Sequence, residues 1–464
     1  MKNARLLLLY GASVVASVAI FFFIRNAGAT LTASSGVGVE GANPRTASTA
    51  MSMGNALMHV LLALAVIVLA SNFIGALFRR MRQPQVMGEV VAGILLGPSF
   101  LAWLAPQAAA YLIAKEIVPY LSVISQIGVV LYMFLVGTEL DTDLLRQRTR
   151  ASIWISHTSI VVPFLLGSAL ALWLYPSYAN RGVSFTPFAL FAGVAMSITA
   201  FPVLARILTD RDMQRSPTGV LALACAAADD VTAWCLLAFV VAVTRVQPGR
   251  TIFVLAMTAA YILSVLFVAR PAMLWLARKQ QREGHMTRGM FATVCSVLLL
   301  AAFATEWVGI HALFGAFLLG AMLPHDSGLA RDLRAKCEDL VLVLLLPVFF
   351  AFTGLRTQIG LLSSGREWLV CLAIIAVASV GKFGGSFAAA RMAGLKWREA
   401  ASVGVLMNTR GLMELIVLNV GLDLGVLSAQ LFAMFVVMAL VTTLSTSPIL
   451  EALRGPEVPQ ARMT

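Results

Sequence analysis

Charge is what this sequence has least of. Only 12% of its 464 residues are Asp, Glu, Lys or Arg, while 59% are hydrophobic and the mean hydropathy is +0.88. Soluble domains carry about twice that charged share. No water-soluble fold can hide so much apolar side chain, so the chain reads as a multi-span membrane protein. That excludes a soluble enzyme, a nucleic-acid binder and a disordered scaffold. The period-2 alternation that builds an outer-membrane barrel is absent as well. The five cysteines, Cys225, Cys235, Cys295, Cys337 and Cys371, include no C-x-x-C pair, and they read as small hydrophobes. The five histidines are scattered, with no two at metal-ligand spacing on one helix. The phosphate-binding pattern G-x-x-x-x-G-K-[ST] is missing, because Gly381-Lys382 is followed by Phe383. Neither G-x-S-x-G nor H-E-x-x-H occurs. An ATP-driven pump and an intramembrane hydrolase therefore lose their machinery, and no cofactor is expected.

What is present is a succession of apolar runs. The first, residues 6–24, follows Lys2 and Arg5 and precedes the small residues Ala27-Gly28-Ala29. Residues 1–29 are either a signal peptide or an extra N-terminal helix. Residues 30–53, rich in Gly, Ser, Thr and Ala, are expected to be a flexible extracytoplasmic tail. Thirteen spans follow, near 57–78, 86–103, 118–138, 152–175, 186–208, 217–243, 251–276, 290–306, 309–323, 339–355, 368–390, 399–421 and 428–450, making residues 54–450 one membrane domain. Alternate loops are basic. With the end of the first of these spans placed inside, the inner loops and tail hold 21 Lys and Arg and the outer loops six. This asymmetry is the positive-inside pattern. The net charge of +12 is thus topology rather than a nucleic-acid signature. It places residues 451–464 as a short cytoplasmic tail, and the protein is expected to be multi-pass in the cell's inner (plasma) membrane.

The spans contain an internal echo. Residues 134–144 align with 349–359 through Phe134/Phe349, Thr138/Thr353, Leu140/Leu355 and Thr142/Thr357, and residues 92–97 resemble 315–320. The echoing spans run in opposite senses across the membrane. An inverted repeat of six plus six spans is expected, a symmetry that places binding sites near the bilayer midplane between interrupted helices.

Ionisable residues inside spans are the costly ones. Asp229 and Asp230 lie midway between the nearest charges, Arg215 and Arg245. Their burial at the bilayer centre costs on the order of 5–7 kcal/mol for the pair. Adjacent helical residues point about 100° apart, so one carboxylate can hold a structural partner while the other faces a cavity. Lys382, among Gly381, Gly384 and Gly385, is either a snorkelling lysine or the counter-charge of the aspartates. Ser197, Thr199 and Pro202 interrupt the fifth span, and Asn408, Thr409, Arg410 and Gly411 interrupt the twelfth, at equivalent places in the repeat. Pro202 is a simple kink, or else it marks a broken helix that frees carbonyls for a cation. Arg410 and Glu414, four residues apart, can pair with each other, or Arg410 can neutralise a helix end. Glu89 is expected at the interface, and Glu139, Asp141 and Asp143 on a solvated face.

Gly88-Glu-Val-Val-Ala-Gly-Ile-Leu-Leu-Gly-Pro-Ser99, Ile198-Thr-Ala-Phe-Pro-Val-Leu-Ala-Arg-Ile-Leu208, Asp229-Asp230, Gly381-Lys382 and Met407-Asn-Thr-Arg-Gly-Leu-Met-Glu414 resemble the monovalent cation:proton antiporter-2 family, nearest its cation/H+ exchanger branch. The resemblance covers about residues 54–450. It implies an all-α, thirteen-span fold with two crossed, unwound helices at Thr199–Pro202 and Asn408–Gly411, and a homodimer. It also implies antiport of a monovalent cation, Na+ or K+ with Li+ a third candidate, against H+. In the electrogenic sodium/proton antiporters of this fold the second aspartate holds the ion and the first pairs with a lysine. Those roles fall here on Asp230, Asp229 and Lys382. The cation/H+ exchanger branch often carries Asn-Asp instead, so the Asp-Asp pair leaves the ion open. A sodium-coupled solute symporter is the rival reading, and it would need a roomier polar midplane pocket. A channel or sensor module is a third.

Overall fold

In lipid every backbone N–H and C=O must be satisfied within its own segment, so the apolar runs have one solution, the helix. The computed structural model describes residues 2–33, 53–138, 150–209, 211, 213, 216–245, 251–309, 311–324 and 326–454. Among them there is no strand, only one isolated bridge between Ala179 and Leu427. The longer helices are α1 (Lys2–Gly28), α2 (Met53–Arg80), α3 (Gln85–Leu96), α4 (Val118–Thr138), α5 (Arg150–Tyr178), α6 (Phe185–Ser197), α7 (Phe201–Thr209), α8 (Pro217–Arg245) and α9 (Thr251–Ser264). They continue with α10 (Arg270–Glu283), α11 (Arg288–Val308), α12 (Ala312–Ala321), α13 (Gly328–Asp339), α14 (Leu346–Arg356), α15 (Gly365–Met392), α16 (Trp397–Met407), α17 (Leu412–Asp423) and α18 (Ala429–Arg454). Short π-helical segments at Val265–Ala269 and Leu340–Leu345 join α9 to α10 and α13 to α14.

Twelve of the described segments are long and apolar enough to cross a membrane, the first being Gly11–Gly28. Two shorter apolar helices, α6 and α12, fall in two further spans of the thirteen expected after residue 54. The protein is a multi-pass membrane protein.

The helices sort into two bundles. α2, α3, α4, α11, α12 and α14 pack on one another in the first, and α5, α6, α8, α15, α16, α17 and α18 in the second. Direct packing between the two groups is sparse and includes α14 against α17. In the first bundle two crossings are very close. A Cβ at Gly354 of α14 would lie 2.2 Å from the Val90 carbonyl oxygen of α3, and one at Gly320 of α12 would lie 2.2 Å from that of Phe134 in α4. Helix–helix contact in membranes depends on such small residues. The segments that echo each other in sequence thus pack reciprocally, α3 on α14 and α12 on α4.

α1 lies against α5 of the second bundle. Ser13 Oγ and His157 Nε2 are 2.9 Å apart, and the Phe21 and Phe164 rings are 5.7 Å apart between centroids. The most enclosed span is Trp397–Asp423, 94% buried in its most apolar window against 11% for Gly11–Gly28. The fold therefore places its second interrupted helix at the centre of the protein. Glu89, expected at an interface, is buried instead, its carboxylate accepting from Gln85 Nε2 at 2.9 Å. Position along a helix gives depth in the membrane but not lateral cover, and here α14 and α2 supply the cover. Glu139, Asp141 and Asp143 lie outside the described residues.

Candidate ion-binding site

The fifth span is broken between α6 and α7. α6 ends at Ser197, and Ile198 is extended at φ −78°, ψ 138°. Pro202 is the second residue of α7, within the first turn, where its missing N–H costs no hydrogen bond. Pro202, read as either a kink or the mark of a broken helix, therefore sits at the start of the second half-helix, and the unwound stretch is residues 198–200. The twelfth span breaks between α16 and α17 at residues 408–411. The interruptions touch. Ala200 N donates to Thr409 O at 3.0 Å, and Thr199 Oγ1 lies 3.1 Å from Met407 O.

α8 and α15 bring charge to this crossing. Asp229 is enclosed by donors. Its Oδ1 accepts from Ser156 Oγ at 2.7 Å, and its Oδ2 from Ser159 Oγ at 2.6 Å, Thr199 Oγ1 at 3.0 Å and Lys382 Nζ at 3.2 Å. Lys382 is fully buried, and its ammonium also donates to Ser159 O at 2.8 Å and to Ser197 O. Its three protons are thereby used. Lys382 does not snorkel.

Asp230 is placed differently. It is 4% exposed, and its Oδ1 has no hydrogen-bond partner among the described residues. The Phe201 backbone N–H, at the start of α7, donates to its carboxylate, the favourable end of a helix for a negative charge.

Arg410 lies inside the second interruption and is fully buried. Its guanidinium donates to the α6 carbonyls of Ala195 at 2.8 Å and Met196 at 2.9 Å, and pairs with Glu414 Oε2 at 3.1 Å. It thus neutralises a helix C-terminus and makes the i, i+4 ion pair together. Thr443 of α18 clamps this break, its hydroxyl accepting from Arg410 N and donating to Arg410 O, each at 2.9 Å.

Thr409 Oγ1 is buried without a partner among the described residues, as is Asn408 Oδ1. Asn408 borders a cavity between α15, α16 and α18 that also contains Ser379, Ser445 and Thr446. The Ser197 hydroxyl donates to Val194 O at 3.0 Å, within its own helix. Five charged groups therefore meet in a buried volume, Asp229, Asp230, Glu414, Lys382 and Arg410. Three carboxylates face two cations. Burying unpaired charge is expensive, and the uncompensated carboxylate is Asp230. One proton or one monovalent cation balances it. Among the described residues no cluster of three or more His, Cys, Asp or Glu forms a metal site.

The α8 face that carries Asp230 is unequally covered. Toward Pro217, Ala227 and Leu223 are partly exposed and Val220 is 49% exposed. Toward Arg245, Trp234, Leu237 and Val241 are buried. The Trp234 ring stacks on Phe317 of α12 in the other bundle, 5.8 Å between centroids and 27° between planes. Between α14 and α17, Arg356 donates to Asn419 Oδ1 at 3.1 Å and pairs with Asp423 at 2.5 Å. Asn419 Nδ2 in turn donates to Thr353 Oγ1 at 2.8 Å.

Ser156, Ser159 and Thr443 were not singled out from sequence. Ser152, Ser156 and Ser159 do recur at helical spacing in an apolar run, which is the available signal.

The description "Sodium/hydrogen exchanger, transmembrane" belongs to the family model that matches residues 67–452. The Na(+)/H(+) antiporter NhaS4 of Synechocystis sp. is 44% identical over 397 residues, 85% of this chain and 97% of that protein. The K(+)/H(+) antiporter 1 of Saccharomyces cerevisiae is 33% identical over 392 residues, 82% of this chain. This chain spans 45% of that relative, and 50% of Cation/H(+) antiporter 18 of Arabidopsis thaliana. Among solved structures, the sodium proton antiporter MjNhaP1 from Methanocaldococcus jannaschii superposes with a TM-score of 0.59 at 16% identity, covering 86% of this chain and 97% of that one, a likeness of fold. With a family model spanning residues 67–452 and a relative 44% identical over nearly its whole length, the chain belongs to the sodium/hydrogen exchanger family.

Proposed function

We propose that the protein is a secondary antiporter that exchanges Na+ or K+ for protons by alternating access, with Asp230 as the carboxylate for which proton and cation compete. The observation that carries this reading is the charge count. Asp230 is the carboxylate left over when Lys382 is matched with Asp229 and Arg410 with Glu414, and one of its oxygens lacks a partner among the described residues. A site that is neutral with either one proton or one cation, and charged with neither, couples the exit of each to the entry of the other. The orphaned Thr409 hydroxyl and the carbonyls freed by the interruptions are the other oxygens available to a cation.

Lys382 and Asp229 hold the crossing together and set the potential at Asp230. If Lys382 also surrenders its proton when the cation binds, exchange moves two protons per cation and is electrogenic. The family's relatives carry names for both Na+ and K+ exchange, and a carboxylate with freed carbonyls suits either ion.

The reciprocal packing of the echoing segments supports a six-plus-six inverted repeat. The basic loops orient the protein in the plasma membrane with the α18 end cytoplasmic. In that orientation the partly exposed α8 face below Asp230 opens inward. The Trp234–Phe317 stack and the Arg356–Asn419–Asp423 contacts close the outward side. The conformation is then inward-facing, and these contacts between the bundles part when the site turns outward. The working form is read as a homodimer, and residues 2–28 as an extra N-terminal helix of the membrane domain.

The test uses purified protein in liposomes loaded with a pH-sensitive dye, with Na+, K+ and Li+ gradients imposed in turn. Cation-driven proton flux should appear and fall to the empty-liposome level in Asp230→Asn. Flux that persists in that variant removes Asp230 from its role.

A further inference from the structure

A second cavity lies far from Asp230 in the sequence. It has a volume of about 500 Å³ and is bounded by the end of α10 and the start of α13. That volume falls within the roughly 300–1,000 Å³ typical of small-ligand sites. Arg278 and Arg331 border it from opposite elements, with Gln281 and Ser327 between them and Leu274 on its apolar wall.

The walls are held in place. Asp332 Oδ2 of α13 accepts from Gln280 Nε2 of α10 at 3.0 Å and from Met286 N at 3.1 Å. Ser327 caps α13 by accepting from Ala330 N at 3.2 Å. Several of the neighbouring charges are already engaged. Asp332 is used in that staple, Lys279 approaches Glu283 at 3.9 Å, and Lys336 Nζ donates to Met286 O at 3.4 Å. Arg334 donates to Thr138 Oγ1 at 3.1 Å. Asp326, which also borders the cavity, has an interaction of its own. Arg278 and Arg331 remain, with no ion pair or side-chain hydrogen bond to either guanidinium among the described residues. Both arginines are exposed to solvent, so they are accessible to an anion entering the cavity, which each of them attracts. Guanidinium groups match the oxygens of a phosphate in bidentate geometry.

We propose that this cavity binds a phosphate oxyanion at the cytoplasmic ends of α10 and α13. Its bearer is either the headgroup of an anionic lipid of the inner leaflet or a soluble phosphate ester. Basic pockets between helices on the cytoplasmic side have the chemistry to hold such groups. The site is separate from ion exchange and does not depend on the identity of the transported ion.

The test is the thermal unfolding of delipidated full-length protein. Three probes are titrated separately: dioleoyl phosphatidylglycerol, dioleoyl phosphatidylcholine and glycerol 3-phosphate. Wild type should show a saturable rise in Tm of about 3 °C with an anionic probe. Phosphatidylcholine, whose phosphate is offset by its own ammonium, should give none. The Arg278→Gln/Arg331→Gln variant should bind at least tenfold more weakly, with its Tm in phosphatidylcholine unchanged. A response to phosphatidylglycerol alone assigns the site to the lipid headgroup, and a response to glycerol 3-phosphate assigns it to a soluble ester. No response of wild type to either anionic probe, or equal responses in wild type and variant, overturns the proposal. Should the double variant fail to fold, Arg278→Gln alone carries the same comparison.

Discussion

At residues 198–200 the chain is interrupted without a charge of its own, whereas at 408–411 the interruption contains Arg410 and is followed one turn later by Glu414. The first break is stabilised from outside itself. The carbonyls at the end of α6 receive Arg410 and Lys382, both from the second half of the chain. The second break is stabilised partly by its own ion pair and partly by Thr443 of α18. Both aspartates, in turn, come from the first half. Each half therefore supplies the charge the other lacks, and the site is complete only when the two breaks cross. This division also separates two adjacent residues. Asp229 takes the borrowed lysine and three hydroxyls, and Asp230 is left with an oxygen that has no partner among the described residues.

The largest expected effect breaks that contrast between neighbours. Asp230→Asn should reduce exchange to background while changing stability by no more than about 1 kcal/mol, because it removes a charge that no side chain compensates. Asp229→Asn should instead destabilise by about 3–5 kcal/mol, since it strands Lys382 in a buried site. Paired unfolding and flux measurements on the two variants separate the roles. Equal stability losses would erase the distinction.

The next effect tests the borrowed cation. Lys382→Ala should also cost about 3–5 kcal/mol by leaving Asp229 unpaired. Combined with Asp229→Asn it should cost less than the sum of the single losses, as expected for groups in contact. Charge movement on a solid-supported membrane then reads electrogenicity. Wild-type charge per cation in a folded Lys382→Ala variant would remove Lys382 from the coupling. The external pH adds a check with a fixed sign. If protons and cation compete for Asp230 as proposed, each unit fall in pH should raise the cation's apparent KM about tenfold in the range where that carboxylate is mainly protonated. A KM independent of pH would mean separate sites.

Much of this centre can be read from sequence because charge in a span is rare. Asp229, Asp230, Lys382, Arg410 and Glu414 stand out against apolar neighbours, and all five meet in the fold. Pro202 and the run from Asn408 to Gly411 mark the interruptions for the same reason, since neither suits a helix interior. Hydroxyls are another matter. Ser156, Ser159 and Thr443 can satisfy themselves against their own helix, so their presence in a span carries little information until a partner is located. The same property turns the Ser197 hydroxyl back on Val194. Glu89 shows a different limit, because lateral burial depends on which helices lie alongside, and periodicity within one segment does not specify that.

Thr443→Val makes the smaller change of removing the clamp on the second break. It leaves Arg410 N–H without its acceptor in a buried site, at a cost of about 1–2 kcal/mol. Exchange should fall severalfold without a change in ion preference.

The smallest effect concerns the closed side. The Arg356–Asp423 pair is partly exposed, with side chains 24% and 43% accessible, so Arg356→Gln should cost less than about 1 kcal/mol of stability. Its effect on access should be larger than its effect on stability. Arg356 joins α14 to Asn419 of α17, and Trp234 of α8 stacks on Phe317 of α12. On the proposed inward-facing reading, weakening that join should lower the cost of opening outward. A cysteine placed at Leu237, buried on the same face as Trp234, then reports the state of the seal in a cysteine-free background. Its labelling by an impermeant thiol reagent added outside should accelerate when Arg356→Gln is introduced, and accelerate further with Trp234→Ala. Unchanged labelling in both variants would mean that these contacts brace the bundles without controlling access.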